Sequence, residues 1–232
     1  MTEDQWLAST DPTEMLEFLE SSGKASNRKI RLFAVACCRR VSCLLTDARS
    51  HAALDAAEGS ISPSQLSSAW FNARRAVMES AAIQGAQASI RPPVKAWFPS
   101  WKATRAAQLV ASNSVPVREV SALLVDIAAL RVSESELDYA VSQERNEQAT
   151  LLRCICGNPF RRQNQFDPAW RMPATLALAR DMYDSRSFDR QPALAEALEA
   201  AGCRDAEILA HCRSGGEHVR GCWVVDLVLG KT

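Results

Sequence analysis

The residues best able to do chemistry crowd toward the C-terminus: Cys203, His211, Cys212, His218 and Cys222. Two of the chain's 3 histidines fall in this stretch. Thiolate sulfur and imidazole nitrogen are the donors that hold zinc tetrahedrally, and two ligands from each arm of a hairpin can build such a site. Ser214-Gly-Gly216 supplies the turn, and a helix over 217–229 would set His218 and Cys222 one turn apart on one face. Against this, there is no CxxC knuckle, the spacing fits no standard zinc pattern, and adjacent His211 and Cys212 would point about 100° apart on a helix. The competing reading makes the cysteines small core hydrophobes and the histidines surface or capping groups. The spacing therefore predicts no cofactor and no stoichiometric zinc, with a small zinc-binding metalloprotein as the alternative.

Other constellations are weaker. His218, Cys222 and Asp226 stand at i, i+4 and i+8, but nucleophile, base and orienting carboxylate must converge, and a row along one helix face does not. Cys37-Cys38 lies beside Arg39-Arg40, a setting that can lower a thiol's pKa. Cys37 nevertheless falls on the centre of an apolar stripe, so it and Phe33 are expected in the core, with Arg39 exposed. Cys154 and Cys156 are two positions apart and face away from each other on a helix, which predicts two more core thiols.

Glu144 and Gln148 interrupt the apolar stripe of their helix. They are either a buried polar pair facing a partner or the sign of a helix projecting past the core into water, and the second is expected on the rarity of buried glutamate. Arg161-Arg162, with Phe160, Phe166, Trp170 and Arg171, is a basic-aromatic patch of the kind that stacks on single-stranded nucleic acid. Asp167 dilutes it, and aromatics framing a long loop commonly pin that loop to a core. Glu144, Gln148, Arg161, Arg162 and Trp170 thus stand as interaction candidates. No P-loop, GxGxxG, HExxH or GxSxG occurs, so no catalytic residue is assigned. An enzyme would have to assemble its site from distant positions such as Glu144, Arg161 and His218.

The elements that must position these residues read as helices. Asp11-Pro-Thr-Glu14 caps a helix stopped by Ser21-Ser-Gly23. Ile30, Phe33, Cys37, Val41 and Leu44 form the stripe of a helix from Ser26 to about Leu45, widened by Leu32, Val35 and Ala36. Further helices are predicted over 47–58, 62–88, 100–111 and from Pro116. Ser133-Glu-Ser-Glu136 caps a long one ending at Gly157. Pro92-Pro93 breaks the chain before an aromatic knot of Trp97, Phe98, Pro99 and Trp101. After a loop of about ten residues, long for a compact domain, helices follow over 174–185, 191–201, 205–213 and 217–229. The one stretch that could be a strand is 224–229. The expectation is an all-α bundle of roughly eight to ten helices with a C-terminal helical hairpin. It divides into 1–156 and a C-terminal subdomain, 157–232, packed on it, with one continuous domain as the alternative.

Composition bounds the function. Of 232 residues, 47% are hydrophobic and 23% charged, ordinary for a globular chain. Lys+Arg and Asp+Glu both number 27, so no global field recruits nucleic acid or an anionic membrane. The first residues lack the apolar core of a secretory signal, and no apolar run reaches a membrane span's length. Eight cysteines without an export signal read as thiols, which predicts a cytoplasmic protein.

Several segments resemble a known family. Trp6-Leu7, Thr10-Asp11-Pro12, Met15-Leu-Glu-Phe-Leu19, Arg31-Leu-Phe-Ala34 and Cys37-Cys-Arg-Arg40 look like its opening. Gly157-Asn-Pro-Phe-Arg161, Asp167-Pro-Ala-Trp170 and His218-Val-Arg-Gly-Cys-Trp-Val-Val-Asp226 look like its second half. The family is a paralogue-rich group of uncharacterised bacterial proteins, and the resemblance covers about residues 1–50 and 150–232. It carries over no activity and no residue roles. Expansion into paralogues leans toward recognition or regulation, so the leading expectation is a helical protein-interaction or regulatory adaptor whose partner is another protein.

Overall fold

The computed structural model describes residues 1–59, 62–88, 98–161 and 166–231. Pro92-Pro93, Trp97 and Arg162 lie outside them. The described residues form twelve α-helices and no strand, as the capped, 3.6-period segments require. The helices are α1 (Glu3–Ala8), α2 (Pro12–Ser22), α3 (Asn27–Arg40), α4 (Ala48–Glu58), α5 (Pro63–Ala88), α6 (Phe98–Val110), α7 (Val117–Leu130), α8 (Leu137–Cys156), α9 (Pro173–Ser185), α10 (Gln191–Ala200), α11 (Ala206–Arg213) and α12 (Trp223–Leu229). The number exceeds the expected range partly because α1 was not foreseen. Its signal is in the sequence: Thr2 and Gln5 form a reciprocal capping box, and the helix buries Trp6.

Helix α3 is the axle of the N-terminal bundle. Ser26 caps it by accepting from the Lys29 amide, and Leu32 through Cys38 are all buried. It contacts α4, α6, α7 and α8, which explains a stripe too wide for a surface helix. Phe33 and Cys37 are fully buried, as their place on the stripe predicts. Arg39 is not exposed as expected. It is half-buried, because its guanidinium reaches across to Glu58 and Asp55 of α4.

Two apolar cores meet at the end of α8. Leu151, Leu152, Ile155 and Cys156 belong to the core built on α1–α4, α6 and α7. Cys154 turns the other way, into a second core with Met182 of α9, Leu194 and Leu198 of α10, Leu209 of α11 and Val224, Val225 and Val228 of α12. The two halves are also tied by charge. Asp226, 1% exposed, receives Arg28 at 2.7 Å and Lys29 at 2.6 Å, both from α3. Lys29 Nζ further donates to the carbonyls of Ile155 and Gly221, the neighbours of Cys154 and Cys222.

Two expectations are corrected here. The last helix spans 223–229 rather than 217–229, because Gly221 sits at φ +97°, outside helical space. A Cβ there would stand 2.8 Å from Leu32 Cδ1, so glycine lets the segment press against α3. The doubtful stretch 224–229 is helical. Glu144 and Gln148 do not project into water either. Gln148 is fully buried, exchanging hydrogen bonds with Ser121 of α7 and donating to Glu144.

Candidate metal centre

Four side chains from four places in the chain converge. Cys154 comes from the last turn of α8 and His211 from the last turn of α11. His218 sits in the segment between α11 and α12, and Cys222 is the N-cap residue of α12. One donor atom from each lies within 4.8 Å of all the others. His211 Nε2 is 3.2 Å from Cys222 Sγ, and His218 Nδ1 is 3.7 Å from Cys154 Sγ. With Zn–S near 2.3 Å and Zn–N near 2.0–2.1 Å, tetrahedral donors stand roughly 3.3–3.8 Å apart. The four side chains therefore need to shift by no more than about an ångström to surround one ion.

The groups behind these donors are arranged for ligation. His218 turns Nε2 toward the Ser214 carbonyl at 3.3 Å, which favours the tautomer that leaves Nδ1 free to bind. Gln191, at the start of α10 and 1% exposed, donates Nε2 to Cys222 Sγ at 3.1 Å. The Val219 amide hydrogen-bonds Cys154 Sγ. Each sulfur thus has an N–H donor, the partner a buried thiolate needs. The His211 ring meets His218 edge-on and tilts against Trp223, which fixes its direction.

Electrostatics separate the two thiols. The bond to Cys222 and then burial hold Cys154 well above the ordinary thiol value. Burial would raise Cys222 too, but bonds from Cys154, His211 and His218 carry it well below. For His218 burial acts downward, and its bond to Cys222 outweighs that and raises it. One sulfur of the cluster is therefore poised as the thiolate, the form that binds metal.

Of the five C-terminal candidates, the fold gathers His211, His218 and Cys222. Cys203 and Cys212 are fully buried among apolar neighbours instead, and burial pushes the Cys212 thiol up. The angular objection to adjacent His211 and Cys212 holds for Cys212. What the sequence reading missed is Cys154, assigned to the core with Cys156. No local spacing joins it to the others: only the packing of α8 on the second core delivers it.

The remaining candidates at described positions are engaged within the chain. Arg161 pairs with Glu3 at 2.9 Å and Glu207 at 3.4 Å. Trp170 stacks edge-on against Phe166, and Arg171 donates to the carbonyls of Leu227 and Val228. Phe166 and Trp170 thus pack against the second core. Glu144 faces Arg40 at 3.4 Å, and Asp226 is occupied by α3 rather than by His218. Among the described residues no helix is long and apolar enough to cross a membrane. None of the family models, curated proteins or solved structures compared with the chain matches it significantly.

Proposed function

We propose that Cys154, His211, His218 and Cys222 hold one structural zinc ion, and that the chain is a zinc-organised helical module. The observation that supports this is the mutual approach of two sulfurs and two imidazole nitrogens within 4.8 Å. A tetrahedral S2N2 set selects zinc over the hard cations, which take oxygen donors. Two irons bridged in a cluster would need the four donors spread around a larger body than these enclose. Four protein ligands close the coordination sphere and leave no position for substrate, so the ion's role is architectural.

The ion would fasten α11 and the start of α12 to the end of α8, where the two cores meet. Such a module is suited to presenting surface to a partner. Phe71 and Met78, both exposed on α5, are apolar side chains it would offer. Cobalt(II) titrated into chelator-treated protein tests the site. Ligand-field and thiolate-to-metal bands of a tetrahedral S2N2 centre, saturating at one ion per chain and lost in Cys222→Ser, are expected. Octahedral spectra or no saturation would remove the reading.

A further inference from the structure

Cys154 sits in the last turn of α8 and Cys222 at the start of α12, so one ion can bind both only if these two segments keep a set separation. Lys29 of α3 touches both segments. Its ammonium donates to the Ile155 carbonyl, next to Cys154, at 2.9 Å. It donates to the Gly221 carbonyl, next to Cys222, at 2.8 Å. A third contact reaches Asp226 Oδ2, in the first turn of α12, at 2.6 Å. An ammonium has three donors and no acceptor, so three oxygens can satisfy it completely. The Lys29 side chain is 13% exposed and that of Asp226 2%, which leaves water little room to compete.

Both carbonyls suit a cation from α3. The Ile155 carbonyl is among the last four of α8, which have no partner within the helix, and a positive charge complements that end of the dipole. Gly221 meets the same turn of α3 a second time. Leu32 lies three positions after Lys29, and a Cβ on Gly221 would stand 2.8 Å from Leu32 Cδ1. One turn of α3 thus holds the Cys222 segment by close contact and ties it to the end of α8 by hydrogen bonds.

We propose that Lys29 is a positioning residue for the metal centre: its ammonium holds the segments that carry Cys154 and Cys222 at the spacing one ion needs. Zinc affinity then depends on α3, a helix that supplies none of the four donors. This role rests on the zinc reading of the four side chains and adds what regulates the affinity of that site. Zinc–ligand lengths tolerate only about 0.2 Å, so a brace that fixes the backbone beside two ligands acts directly on binding. The coupling is reciprocal, as linkage requires: the bound ion in turn holds both segments against α3.

Competition for zinc against a chromogenic chelator tests it on the full chain, with cobalt(II) spectra of the same variants. Lys29→Met should bind one zinc per chain about tenfold more weakly than wild type, the lower end of what outer-shell partners contribute. Its cobalt ligand-field bands should shift, because the donors relax to another spacing. Arg28 supplies the control, since it pairs with the same Asp226 at 2.7 Å. Arg28→Met should lower the urea midpoint but leave zinc affinity and cobalt bands unchanged. Lys29→Arg keeps the charge without the three-way geometry, and its affinity should fall between Lys29→Met and wild type. If Lys29→Met fails to fold, the partial loss in Lys29→Arg carries the test. Lys29 variants that bind zinc as tightly as wild type, or an equal loss in Arg28→Met, would overturn the role of Lys29 alone. Wild-type protein that takes up neither metal would overturn the zinc reading and this role with it.

Discussion

Cys154 Sγ lies 3.7 Å from His218 Nδ1, although 64 positions separate them in the chain. Cys156, two residues on, points into the other core. The account therefore predicts opposite consequences for neighbouring thiols. Cys154→Ala should abolish zinc retention, whereas Cys156→Ala should keep the ion and cost about 1–2 kcal/mol as a small core truncation. Zinc content and urea midpoints of the two variants, compared side by side, check this. Equal zinc in both would contradict it.

Gln191 donates to Cys222 Sγ at 3.1 Å and is not itself one of the four donors of the cluster. Removing such a supporting hydrogen bond commonly costs about 10–100-fold in metal affinity. Gln191→Leu should therefore bind zinc at full stoichiometry but more weakly by that factor. Competition with a chromogenic chelator measures it, and an unchanged affinity would show that the bond contributes nothing.

Glu58 supplies the pH dependence. Burial would raise its carboxyl, but the bonds from Arg186 and Arg39 prevail and hold it below the ordinary 4.5. The sign follows: the pairing contributes fully above pH 4.5 and fades as pH falls through the lowered folded-state value. Glu58→Gln should cost roughly 2 kcal/mol at neutral pH, and the gap to wild type should narrow near pH 3. Urea midpoints at the two pH values decide it, and a gap that stays constant would assign the loss to packing.

The Ser121–Gln148–Glu144 chain is closed, with a 2.5 Å bond from the Ser121 hydroxyl to Gln148 Oε1. Gln148→Leu keeps the volume but strands the Ser121 hydroxyl and leaves Glu144 with Arg40 alone. A loss of about 1–3 kcal/mol is expected. Thermal melts read it, and a neutral result would mean the network is dispensable.

These residues also show where the sequence stops being informative. Most helices were legible because they carry an apolar stripe, and several carry a side-chain cap as well, as Asp11 and Ser26 show by accepting amide hydrogen bonds. Three of the four candidate metal donors were legible as a cluster. Cys154 was not, because its partnership is set by which way one turn of α8 faces, a tertiary fact. Gln148 was misassigned for a related reason: rarity argued against burial, and the Ser121 partner on α7 is invisible to local pattern. The irregular path of 217–222 depends on Gly221 pressing against Leu32, a contact between distant segments. That irregularity is what lets His218 and Cys222 reach one point without sharing a helix.

The central claim is that one zinc ion binds at Cys154, His211, His218 and Cys222. Native mass spectrometry of protein purified without chelator, with elemental analysis of the same sample, tests it most directly. The account predicts one zinc per chain in wild type, one in Cys212→Ala, and none in Cys154→Ala or His218→Ala. Wild-type protein that carries no zinc and takes up none when refolded in its presence would contradict it.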